Sequence, residues 1–177
     1  MKYALRTLIV IAVLIIGFIL FLESGIYNIS AMVPHNKLTL WVIRTLKDNS
    51  IEHRYKDIKV PDNLNDSSLV KLGFSHYNEM CVGCHGAPGI PSNEIGKGLY
   101  PHPPNLAHSA KEMPPSELFW ITKNGIKMTG MPAFGKTHSD DKIWAIVAFM
   151  EKLPNMTKEQ YIALQKADKS EVEEMKN

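Results

Sequence analysis

The chain has 177 residues, 45% of them apolar and 21% charged, a balance that excludes both a disordered segment and a protein made only of membrane spans. Its 20 Lys+Arg against 18 Asp+Glu lack the basic surplus of a nucleic-acid binder. Two cysteines are too few for a disulfide-rich scaffold or for a four-cysteine zinc or iron–sulfur site.

Charge divides the chain into three parts. Residues 1–61 carry 8 basic and 4 acidic side chains, residues 62–154 carry 8 and 9, and residues 155–177 carry 4 and 5. The middle part holds both cysteines and most of the Pro and Gly, and reads as the working domain. It follows a basic lead-in and precedes a polar C-terminal tail, residues 155–177.

The lead-in opens with Lys2 and Arg6, then 15 apolar residues from Leu8 to Leu22. That run is roughly 23 Å long as a helix, short of a ~30 Å hydrocarbon core, and it spans once Ala4–Thr7 are added with Arg6 snorkelling to the headgroups. Residues 1–24 are therefore expected to form a transmembrane anchor. The alternative is a cleaved signal peptide, for which a small-x-small cleavage site is missing. In both cases the positive N-terminus stays inside and everything after Glu23 is exported. Residues 25–65 are expected as a juxtamembrane linker. Within it Leu38, Trp41, Val42 and Leu46 fall at helical spacing among Lys37, Arg44 and Lys47, for a helix on the bilayer surface, on the domain, or serving as a solvated spacer. As a tether, residues 23–65 would let the domain range over the membrane.

Residues 66–154 are expected to be mostly α-helical. The first helix covers 66–80, capped by Asp66 or Ser67, with Leu69, Gly73, Tyr77 and Met80 on one face. Gly73 costs that helix about 1 kcal/mol relative to Ala, so a close backbone approach is expected there. A second helix covers about 116–123 on Leu118, Phe119 and Ile121. A third covers 139–152, with Ser139 as cap, Asp140 and Asp141 at the positive end of the dipole, and Pro154 as terminator. Long Pro/Gly loops fill 86–115 and 124–138.

Residues 81–85 read Cys81-Val82-Gly83-Cys84-His85, the C-x-x-C-H spacing of covalent haem attachment. Two thiols three positions apart on a helical turn can add to the two vinyl groups on one porphyrin edge, and the next residue places its imidazole under the iron. Three other readings compete. A thioredoxin-like pair wants a βαβ context, a zinc site wants a further Cys/His pair, and a disulfide closing so small a loop constrains little of the unfolded chain. A sixth iron ligand is available in Gly130-Met131-Pro132, an irregular loop 46 residues beyond His85 whose direction neither helix nor strand dictates. Met128 is its competitor, and His35, His53, His76, His102, His108 and His138 are weaker ones. Phe119 and Trp120 are candidates to wall the haem or to fill the core. Leu99, Tyr100, Ile126 and Phe134 are further lining candidates. Lys97, Lys123, Lys127 and Lys136 border the site or are simply solvated.

Over residues 66–153 the Cys81–His85 motif, Gly86, the Pro-rich stretch, Gly130–Gly135 and a helix with Trp144 and Phe149 together resemble class I mono-haem cytochromes c. The resemblance implies a cytochrome c-like fold whose N- and C-terminal helices cross over the haem, preceded here by one transmembrane helix. It implies one covalent haem c with its iron, Cys81 and Cys84 as thioether donors, and His85 and Met131 as axial ligands. It places Gly73 against Trp144 or Phe149, and it makes a proline carbonyl of Pro103-Pro104-Asn105-Leu106, taken as Pro104, the acceptor that orients His85. Pocket candidates are Pro104, Leu106, Trp120, Ile126, Met128 and Phe134. The implied function is single-electron relay on the periplasmic face of the bacterial inner membrane, not enzymatic catalysis. Donors would be a quinol-oxidising complex or a periplasmic dehydrogenase, and the acceptor a terminal oxidase or reductase; no nucleic acid is involved. The alternatives are a subunit fixed in a larger oxidoreductase, and a haem enzyme or gas sensor with a labile sixth ligand.

Overall fold

The computed structural model describes residues 2–174, and side chains as far as residue 170. It divides into two compact units, one ending at Pro34 and the other beginning at His35. The described residues form helices and no strand, with a lone bridge between Ala87 and Ile90.

In the first unit, helix α1 runs over Lys2–Glu23 with no buried residue. Its 22 residues extend roughly 33 Å, enough for a ~30 Å hydrocarbon core. Among the described residues it is the one helix long and apolar enough to cross a membrane. The Ser24 hydroxyl closes its end by donating to the Phe21 carbonyl at 2.7 Å, satisfying one of the last-turn acceptors.

The second unit begins with helix α2, Lys37–Tyr55, started by the Asn36 side chain accepting from the Thr39 N–H at 2.9 Å. Leu40 and Ile43 are half-buried and Ile51 is buried as α2 packs on helix α7, Pro115–Asn124. The stretch read as a 25–65 linker thus joins the folded unit from His35 onward, with Leu64 also in the core. The sequence of α2 accounts for the packing. Its inward residues recur every three to four positions, and a helix turns once in 3.6.

The centre of the unit is the crossing of helix α3, Ser67–Met80, with helix α8, Asp140–Met150. Both lie within two residues of their expected limits. Every residue from Ile143 to Met150 is buried, so α8 is covered on all sides beyond its first turn. The expected close approach is present at Gly73, where a Cβ would overlap the Ala145 carbonyl and stand 3.0 Å from Phe149 Cβ. The main partner is thus the Ala145 backbone, with Phe149 beside it. Trp144, the other candidate for that contact, instead stacks on Phe119 with ring centroids 4.1 Å apart.

Two expectations about irregular regions change. The loop over 86–115 contains helix α5 (Glu94–Gly98) and helix α6 (Leu106–Ser109), each started by an asparagine side chain, Asn93 and Asn105. The residues read as a polar tail carry helix α9, Lys158–Glu174. Tyr161 of α9 is fully buried, edge-on to Phe74 at 5.4 Å, and Asn78 accepts from both Tyr161 Oη and Gln165 Nε2. A single buried aromatic in a charged helix is a weak periodic signal, which is why the pattern reads as polar.

Candidate functional site

Cys81 ends α3, and the motif continues as the short helix α4, Val82–His85. The His85 N–H donates to the Cys81 carbonyl at 2.9 Å and the Gly86 N–H to the Val82 carbonyl at 2.8 Å. The five residues therefore lie on one helical turn, the arrangement that two-point attachment to one edge of a ring requires. Tyr77, one turn earlier, is fully buried and donates its hydroxyl to the Gly86 carbonyl at 2.7 Å. That bond ties the end of the motif back to the core. Nothing in the sequence pattern distinguishes it from an ordinary core tyrosine.

His85 Nδ1 lies 2.8 Å from the Pro104 carbonyl. A carbonyl only accepts, so the proton is on Nδ1 and the Nε2 lone pair is left for a metal. Burial pushes the imidazole below its ordinary pKa, partly opposed by the Pro104 hydrogen bond, and so favours the neutral ring a metal needs. The carbonyl sits just before the Asn105 cap of α6, and Leu106 behind it is buried. The acceptor is thus fixed by a helix start and a core anchor.

Cys81 is buried, which pushes its pKa up to about 12. Among the described residues no three His, Cys, Asp or Glu side chains converge as a metal-ion site. Cys81, Cys84 and His85 are therefore not grouped around one ion, and a donor set of two spread thiols and one imidazole suits a porphyrin better than zinc.

The methionine loop follows α7. Gly125 takes φ +65°, and a Cβ there would stand 2.8 Å from the Met131 carbonyl, so both the turn and the close approach call for glycine. The Ile126 N–H donates to the Met131 carbonyl at 3.3 Å. Thr129 donates its hydroxyl to the Ile126 carbonyl at 2.8 Å and accepts from the Met131 N–H at 3.1 Å. The Met131 backbone is thereby held from both sides, and Thr129 is a positioning residue the sequence did not single out. Met131 is half-buried. Met128 is 84% exposed at φ 60°. Ile126, Phe134 and Trp120 are half-buried. Leu99 presses its methyl groups on Gly130, bringing the α5 loop against the methionine loop.

The histidines named as weaker ligands scatter. His53, His102 and His108 are exposed. The His35 ring meets Tyr100 edge-on at 5.3 Å, and the His35 backbone N–H donates to the Tyr100 hydroxyl at 3.1 Å. His76 and His138 meet edge-on at 5.6 Å. Of the four lysines, Lys123 is paired with Asp140 at 2.7 Å, and Lys97, Lys127 and Lys136 are exposed.

The helical fold and the attachment turn define a c-type cytochrome domain, carrying covalently bound haem c with its iron and acting in electron transfer. Residues 68–150 match the family described as cytochrome c oxidase, cbb3-type, subunit III. No curated protein matches the chain.

Proposed function

We propose that this chain relays single electrons through a haem c attached at Cys81 and Cys84 and ligated by His85 and Met131. In this reading α1 anchors it in the bacterial inner membrane and the cytochrome domain stands in the periplasm. The supporting observation is the 2.8 Å pairing of His85 Nδ1 with the Pro104 carbonyl, which fixes the tautomer and ring direction a proximal ligand needs. When bound, the haem supplies a one-electron iron couple whose reduced form is favoured by a thioether ligand.

The chain's residues account for relay without catalysis. His85 and Met131 would be the residues that hold the iron, and with both in place no coordination site would be left for a substrate. Thr129 and Ile126 hold the Met131 backbone, and Tyr77 ties the motif to the core, so both side chains would be held in place for the iron by the chain itself. The matched family is described as an oxidase subunit, and this supports a terminal oxidase as the partner, with the chain docked as a subunit. The donor belongs to the quinol-oxidising or dehydrogenase class. The early start of the folded unit at His35 also favours a held domain over a ranging carrier.

The test is an optical spectrum of the reduced pyridine adduct together with a near-infrared scan of the oxidised protein. The first should report a haem with two thioether links, the second the iron–sulfur(Met) charge-transfer band. A high-spin ferric form, or rapid carbon monoxide binding to the ferrous form, would overturn relay in favour of a labile sixth ligand.

A further inference from the structure

Helix α2 has two apolar faces, and the fold uses one. Leu40, Ile43 and Ile51 turn inward, toward α7 and the core. On the opposite side Leu38, Trp41, Val42 and Leu46 are 69%, 64%, 39% and 66% exposed. These four fall within an arc of roughly 140°. A tryptophan and three aliphatic side chains on one exposed arc form a patch of the kind that marks an interaction site.

We propose that this stripe of α2 is a foot that lies in the headgroup region of the bilayer and holds the cytochrome domain in one orientation. The inference rests on α1 being the anchor of the proposed function. Three observations select lipid as the occupant. The stripe is confined to the N-terminal half of α2, while the same arc further on carries Asn49, Glu52, His53 and Lys56, so its apolar part is the part nearest in chain to the anchor. Only residues 24–36 separate α1 from α2, a reach of at most ~45 Å. That segment is itself apolar and exposed at Ile26, Ile29 and Met32. The chemistry is interfacial: Trp41 and the leucines face outward while Lys37 and Arg44 flank them, the combination that sits among anionic headgroups. Asp48, on the same flank, is already paired with Lys47 at 3.0 Å.

The experiment uses the full-length holoprotein in nanodiscs of phosphatidylethanolamine with phosphatidylglycerol. Both native cysteines are consumed by thioether bonds, so a single introduced cysteine carries a spin label cleanly. Leu38→Cys and Leu46→Cys are compared with Lys136→Cys, an exposed position remote from α2 in sequence. Relaxation by oxygen and by a water-soluble nickel chelate gives the depth of each label. Labels at 38 and 46 should report roughly 5–10 Å below the headgroup level, and the label at 136 should report water. Adding Leu46→Glu to the Leu38→Cys protein should move that label into water while the protein remains disc-bound. Labels at 38 and 46 as open to nickel as the one at 136 would overturn the foot and leave the anchor standing. Protection seen only in native membranes would also overturn it, in favour of a protein partner. Failure of the wild-type protein to co-elute with the discs would overturn the anchor and the foot together.

Discussion

Gly73→Ala tests the helix crossing on which the cytochrome domain is built. In an isolated helix the change is favourable by about 1 kcal/mol, because alanine is the better helix former. Here the added methyl overlaps the Ala145 carbonyl and sits 3.0 Å from Phe149 Cβ. Neither atom can move aside by a change of rotamer, so α3 and α8 must separate. The separation loosens Phe74, edge-on to Phe149 at 5.3 Å, and Tyr77, tilted against it at 5.3 Å. Forced overpacking costs about 1–3 kcal/mol, and the rigid backbone partner places this case at the upper end. After the gain in propensity the net loss should be about 2 kcal/mol, or roughly 4–8 °C in Tm for a unit of this size. Denaturant unfolding of the holoprotein, followed by far-ultraviolet circular dichroism, reads the change as a lower midpoint at unchanged slope. A variant as stable as the parent, or more stable, would refute the crossing, since propensity alone predicts that sign.

Met131→Ala should abolish the iron–sulfur band of the oxidised protein and lower the potential, whereas Met128→Ala should leave both unchanged; near-infrared spectra and potentiometry of the two variants check this. Tyr77→Phe removes the buried hydroxyl from the Gly86 carbonyl and should cost about 1–3 kcal/mol, read as a drop in denaturation midpoint with the haem still attached. His76 is held below its ordinary pKa, first by burial and then by the nearby His138 and Lys142 charges. The unfolded chain therefore takes up the proton first on acidification, and stability should fall as the pH drops below about 6.5. Unfolding midpoints across that window should show a shallower slope for His76→Gln. Asp140→Asn removes the Lys123 pair and an acidic group from the first turn of α8. Because both partners are substantially exposed, the loss should be only about 0.5–1 kcal/mol and should shrink in high salt.

The legible parts of this chain are those where local chemistry and global position agree. Ser139, Asp140 and Asp141 ahead of an apolar run mark the start of α8, and that start is where they place it. Gly73 in a helix interior is locally costly, and that cost points to a close approach. The partner is less legible: Ala145 meets Gly73 with its backbone, which carries no side-chain signature, while the conspicuous Trp144 stacks elsewhere. Pro104 is readable as an acceptor only through the family resemblance, since any of several loop carbonyls could serve. Thr129 escapes notice because a threonine two residues before a methionine is common, and its double hydrogen bond needs the turn at Gly125 to exist. The helix within residues 25–65 is legible from Leu38, Trp41, Val42 and Leu46, but two apolar faces blur its periodic pattern, so the sequence leaves bilayer, domain and solvent open as its surroundings; the burial of Ile51 puts one face on the domain.

The two sides of the domain are ordered by different means. On the crossing side, α8 is buried from Ile143 to Met150 and the rings of Phe74, Tyr77, Phe149 and Tyr161 pack against one another, so order comes from burial and shape. On the methionine side the Met131 backbone is held by the bonds of Thr129 and Ile126 and by the turn at Gly125. Hydrogen bonds of this kind each contribute about 1 kcal/mol net, against several for a buried aromatic cluster. The Met131 loop should therefore open well before the helix crossing does, with His85 remaining on the more stable side through Tyr77 and Pro104. Partial denaturation should release Met131, the proposed sulfur ligand, before His85, which Tyr77 and the Pro104 carbonyl hold to the buried crossing.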